Sequence, residues 1–309
     1  MLHQQKIAPL SQFLILIGLC GFGIVLGGVV LLLLAKWILG ISALGLEAAL
    51  NKPENVQFAR IAQSLGAFCM LAVPVFLFAI IIRQKPLQYL GFSSVFNIKQ
   101  IIIVALIALA ALAASDAFAA LNEWIPLPKN VAAYFKNLED QYNKDVMTIT
   151  HMTTAVDYLI SLIVIALLPA MFEEMFFRGA LQQVMIGFTK NVFIGILITS
   201  IFFSAIHLSY YGFLPRLFLG IVLGYIFYYG KNIWLNILMH FFNNAIALTQ
   251  MYLLSRQGKL NNDSLNDTFP FYFGIIGLIA VIALLIIFKN ISEKLQTWKK
   301  IENEAYNIH

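Results

Sequence analysis

Apolar residues in this chain fall into long, nearly unbroken runs separated by short polar interruptions. This is neither the strict alternation of a half-buried strand nor the narrow stripe of a surface helix. Eight runs stand out, at 13–40, 59–83, 99–122, 157–187, 191–209, 213–230, 232–254 and 270–289. At about 1.5 Å of rise per helical residue, each crosses or nearly crosses a hydrocarbon layer of about 30 Å. The sixth, 213–230, is the shortest and is expected to be tilted or incomplete. The pattern predicts an all-α fold, a polytopic membrane helical bundle of about eight transmembrane helices forming a single integral membrane domain over residues 1–309.

Most connections are tight: Lys190 and Asn191 turn the fourth run into the fifth, and Gly230-Lys231-Asn232 turns the sixth into the seventh. The exception is 123–156, a polar and slightly acidic stretch containing Leu138-Glu139-Asp140-Gln141, expected to cap one membrane face. The charged tail beyond Lys289, with Trp298 and Tyr306 among its charges, is expected to lie along the interface. The first apolar run far exceeds the ~7–15 residues of a signal-peptide core, so a retained anchor is the better reading.

Composition sharpens this picture. The chain is 61% hydrophobic and 11% charged, with mean hydropathy +0.83. Soluble domains are nearer ~45–50% apolar and ~25% charged, so the lipid bilayer must solvate most of this surface. The net charge of +5 is spread over short loops without a basic stripe and interleaved aromatics, which gives no support for a nucleic-acid partner. Cys20 and Cys69 both lie inside apolar runs, which argues against a disulfide scaffold or zinc ribbon. With the N-terminus cytoplasmic, ten lysines and arginines fall in inner segments and seven, Arg60 among them, in outer ones. That bias predicts a cell-membrane protein with both termini cytoplasmic.

The candidate chemistry lies inside the runs. Phe172-Glu173-Glu174-Met175-Phe176-Phe177-Arg178-Gly179 places two carboxylates and a guanidinium in a stretch where each charge costs at least ~2.5–3.5 kcal/mol. Glu174 and Arg178 are four apart and can pair on one helical face, whereas Glu173 lies about 100° away and stays free for chemistry. His207 ends the next run, and His240 and Asn244 share a face in the seventh. Glu173 and His207 lie equally far, by residue count, from the Lys190 turn and so at equal depth in a helical hairpin; His240 is nearer its own turn. A carboxylate and a histidine can hold and deprotonate water, and a second histidine with an amide can donate to a developing oxyanion. Glu173, His207 and His240 also make a two-histidine, one-carboxylate set for zinc. Arg216, near a span end, is expected to snorkel to the headgroups. His3, His151 and His309, in polar segments, are expected to be bystanders.

The pattern Glu173-Glu174-x-x-x-Arg178, Phe203-x-x-x-His207 and His240-x-x-x-Asn244 resembles the CAAX protease and bacteriocin-processing family, also called Abi. Its members are intramembrane endopeptidases related to the type II CAAX prenyl endopeptidase. The resemblance covers about 155–255, a protease-like catalytic core. It implies that Glu173 activates water with help from His207, that His240 and Asn244 form an oxyanion hole, and that Glu174 and Arg178 support the site. It further implies a membrane-associated protein or peptide as substrate and no cofactor, with zinc as the alternative. Two other classes fit the intramembrane charges: a transporter using them as a relay, disfavoured by the absence of an internal repeat, and a non-catalytic immunity or anchoring protein.

Overall fold

The computed structural model describes residues 7–150, 152, 154–260 and 270–306. Its regular structure is helical, with no strand among the described residues. Inside lipid a helix satisfies its backbone polar groups within one segment, which is why long apolar runs take this form. In chain order the main helices are α1 (Pro9–Leu39), α2 (Val56–Ile81), α3 (Ile98–Glu123), α4 (Lys129–Ile149), α5 (Ala155–Thr189), α6 (Val192–Ala205), α7 (Phe213–Gly230), α8 (Ile233–Arg256) and α9 (Phe271–Tyr306).

Six of these, α1, α2, α3, α5, α7 and the Phe271–Thr297 part of α9, are long and apolar enough to cross a membrane. The expected spans at 191–209 and 232–254 correspond to α6 and α8, which fall outside that set. Helix α6 ends at Ala205, and its 14 residues reach only about 21 Å. Helix α8 is long enough, but Asn236, His240, Asn243 and Asn244 dilute its apolar character. The residues that shorten or dilute these two helices surround the candidate site.

The tail continues the last helix without a break as far as Tyr306. One sequence expectation changes. Arg60, counted among the outer charges that record topology, is 1% exposed. Its Nε donates to the Ile149 carbonyl at 3.0 Å, and its Nη1 lies 4.0 Å from Asp157 Oδ1. It fastens α2 to the end of α4 and the start of α5 instead of facing headgroups. His3, His151 and His309 lie outside the described residues.

Two helices are widened where proline interrupts them. Proline lacks an N–H, and its ring collides with the carbonyl four residues back. Pro74 follows a π-helical stretch at Phe68–Ala72, and Pro169 follows another at Leu162–Leu167. A third, Phe177–Leu181, begins just after the paired glutamates. Each inserted residue turns the downstream face by about 100° relative to an ideal helix.

Helix α9 lies along α3 through small residues. A Cβ on Gly277 would sit 2.7 Å from the Ala110 carbonyl oxygen and 2.8 Å from the Ala114 nitrogen. Association within lipid depends on such close approach. Gly277→Leu is therefore expected to lower the thermal unfolding midpoint in detergent, by an overpacking cost of about 1–3 kcal/mol, with Gly277→Ala intermediate. Unchanged midpoints in both would mean that α9 is not seated on α3.

The polar segment at 123–156 is mostly helix α4, tied down over the α6–α7 connection. Ser209 Oγ donates to Glu139 Oε2 at 2.7 Å, and from the end of α3 Asn122 Nδ2 donates to the Tyr210 carbonyl of the same connection at 2.9 Å. This places α4 beside the end of α6 where His207 emerges.

Candidate active site

The site is built outward from the buried ion pair on α5. Glu174 and Arg178 are fully buried, and Arg178 Nη1 donates to Glu174 Oε1 at 2.8 Å. A buried charge persists only when paired and hydrogen-bonded. Arg178 Nη2 also donates to the Gly220 carbonyl of α7 at 3.1 Å, and the guanidinium lies 4.7 Å from the Phe203 ring centroid. Gly220 permits this approach of α7, since a Cβ there would meet Ser200 Cβ of α6 at 2.9 Å.

Glu174 has two further partners, both on α8. His240 Nδ1 is 2.9 Å from Glu174 Oε1, and Asn236 Nδ2 donates to Oε2 at 3.3 Å while also donating to the Leu223 carbonyl at 2.7 Å. An ionised carboxylate only accepts, so the Nδ1 of His240 carries the hydrogen. Its Nε2 is thereby turned to the other glutamate: Glu173 Oε2 stands 3.8 Å away. Glu173 is the more accessible of the two carboxylates, its side chain 15% exposed. Its Oε2 is buried without a hydrogen-bond partner among the described residues.

His207 lies past the end of α6, in the turn that leads to α7. Leu208 next to it takes a left-handed φ of 52°, uncommon for a residue with a side chain. His207 Nδ1 is 2.8 Å from the Phe203 carbonyl, so Nδ1 donates and Nε2 is the free nitrogen. The Phe203 ring stands edge-on to both imidazoles, 5.3 Å from His207 and 5.8 Å from His240. Asn244 Nδ2 donates at 3.4 Å to the carbonyl of Ala166, in the π-helical stretch before Pro169.

Glu173, His207, His240 and Asn244 line one cavity of about 480 Å³. Glu174 and Arg178 lie behind its wall. Despite the unequal residue counts from the turns, His240 and Glu173 face each other across it. Among the described residues, no group of three or more His, Cys, Asp or Glu side chains is arranged to hold a metal ion.

Three features escaped sequence reasoning. Asn236 completes a stripe Asn236-x-x-x-His240-x-x-x-Asn244 on α8, and that four-residue spacing was a usable signal. Tyr142 reaches the cavity from α4, which no local pattern announces. Arg216 does not snorkel: it lines the cavity, with Nη1 buried. It sits in the first turn of α7, which begins beside His207, so the short connection turns its side chain inward. Ser204, three residues before His207, donates its hydroxyl to the Phe213 carbonyl at 2.6 Å.

No curated protein and no solved structure matches the chain. A family model matches residues 155–246, from the first residue of α5 into the second half of α8. All seven named residues of the three motifs fall inside that stretch. The matched family is described as type II CAAX prenyl endopeptidase Rce1-like, so the part of this chain that carries the site is similar to that family of membrane proteases.

Proposed function

We propose that this protein is an intramembrane endopeptidase that hydrolyses a peptide bond of a membrane-associated protein or peptide, using a water activated by Glu173 and His207. The observation carrying this reading is the state of Glu173. Its Oε2 is buried, has no hydrogen-bond partner among the described residues and faces His240 Nε2 across 3.8 Å. That distance is too long for a direct hydrogen bond and suits a bridging molecule.

In this mechanism water binds between Glu173 and the free Nε2 of His207. Glu173 takes a proton as the water oxygen attacks the scissile carbonyl carbon. The negative charge that develops on the carbonyl oxygen is met by His240 Nε2–H and the Asn244 amide. His240 donates there when both ring nitrogens carry hydrogen, which keeps Glu174 satisfied at Nδ1. Collapse of the tetrahedral intermediate breaks the C–N bond, and Glu173 returns its proton to the departing amine. The products are a new carboxylate and a new amine. This reaction needs no cofactor, and we place both termini in the cytoplasm.

The test is cleavage of membrane-anchored peptides by the full chain in liposomes, run in ¹⁸O-water. One heavy oxygen is expected in the new carboxylate in the first turnover, with the rate unchanged by chelators and no stoichiometric metal in the purified protein. Loss of activity on chelation, restored by zinc, would replace this mechanism with a metal-assisted one. Absence of cleavage would reject the protease reading.

A further inference from the structure

The cavity holding Glu173 and His207 also holds a cation that the proposed chemistry does not use. Among the described residues lining it, Arg216 is the only lysine or arginine and Glu173 the only carboxylate. Arg216 Nη2 donates to the Tyr142 hydroxyl at 3.3 Å, and the guanidinium lies 5.4 Å from the Tyr142 ring centroid. Its Nη1 is buried with no hydrogen-bond partner among the described residues. The group is held in this position by the chain itself. It folds back over the turn before α7, where a Cβ on Gly212 would overlap the guanidinium. Arg216 also stands in the first turn of the 18-residue helix α7, where the helix dipole disfavours a cation and favours an anion. Both arguments point to one missing partner, a negative charge. The guanidinium fork matches a carboxylate in shape as well as sign. Apolar walls from Leu219, Leu248 and Met251 strengthen such a contact. His207 lies within electrostatic reach of both Glu173 and Arg216, which puts the anion close to the reacting centre.

We propose that Arg216 binds a carboxylate of the peptide substrate beside the scissile bond, either the chain terminus or an acidic side chain, and so sets specificity. The inference rests on the protease reading and deepens it. A direct binding experiment separates the two. Full-length Glu173→Gln protein in detergent micelles is titrated with fluorescent, lipid-anchored peptides of three kinds: free C-terminal carboxylate, C-terminal amide, and C-terminal amide with an internal glutamate. A carboxylate on an arginine fork is expected to tighten binding roughly 10- to 100-fold over the plain amide. Which acid-bearing probe gains identifies the source of the anion. Adding Arg216→Gln is expected to bring the ratio close to one, and Arg216→Lys to restore part of it. Tyr142→Phe, which keeps the ring and removes the hydroxyl, reports on a purely structural role and is expected to keep the ratio. Equal binding of all probes to the Arg216 protein, no binding of any of them, or a ratio that survives Arg216→Gln overturns the proposal. Failure of the protease reading shows separately, as absence of Glu173-dependent cleavage by the unsubstituted chain.

Discussion

Glu173→Gln is expected to lower kcat by about a thousandfold or more while leaving the fold intact. General-base catalysis contributes about 10²–10⁴-fold, and an amide of the same shape cannot accept the proton that the attacking water must lose. The same residue is then missing as the acid that protonates the leaving amine, so both halves of the reaction suffer. The structural cost is small. Glu173 is the more exposed of the two glutamates, and its inward oxygen has no hydrogen-bond partner among the described residues. The thermal unfolding midpoint is therefore expected to stay within about two degrees of the parent, well below the shift a buried-network defect causes. KM should change little, since the lost interaction belongs to the transition state. Steady-state kinetics on a membrane-anchored peptide, paired with thermal unfolding of the same preparation, reads both quantities. Cleavage at a tenth or more of the parental rate would remove Glu173 from the role of base and shift attention to His207.

Most of the architecture was legible because lipid imposes a strong rule: an apolar run of membrane length must be a helix. The pairing of Glu174 with Arg178 was equally legible, because the two are one helical turn apart. The rest of the network was not. Glu174 meets His240 and Asn236 across more than sixty positions of sequence, and only the packing of α5 against α8 brings them together. The π-helical stretches at Leu162–Leu167 and Phe177–Leu181 flank the glutamates, so angles counted on an ideal helix drift on both sides. Arg60 and Arg216 were misread for one shared reason. A basic residue near a span end looks like a headgroup contact unless one knows what packs over it, and here α4 covers that region. Sequence hydropathy marks where a helix can be, but does not say which polar segment folds back onto it.

Removing Glu174 is expected to damage the molecule in a different way from removing Glu173. In Glu174→Ala, Arg178 would remain fully buried with its counter-charge gone, and His240 and Asn236 would each lose an acceptor. Breaking a buried pair from one side costs about 3–5 kcal/mol, a large share of the stability of an ordinary domain. The variant should accumulate poorly and unfold at a markedly lower temperature. Replacing both partners, as in Glu174→Leu with Arg178→Leu, takes the uncompensated charge away, and exchanges of this kind are often close to neutral. The double variant is thus expected to recover most of the lost stability, giving a coupling energy well above about 1 kcal/mol in a double-mutant cycle. Activity should not recover with it. His240 would lack the acceptor that fixes its Nδ1 hydrogen and aims Nε2 at Glu173, so kcat should remain depressed although the protein folds. That separation is what distinguishes a positioning role from a merely structural one. A double variant that is both stable and fully active would show that Glu174 serves only to neutralise Arg178, and the orientation of His240 would then have to come from Phe203 and the packing of α8 alone.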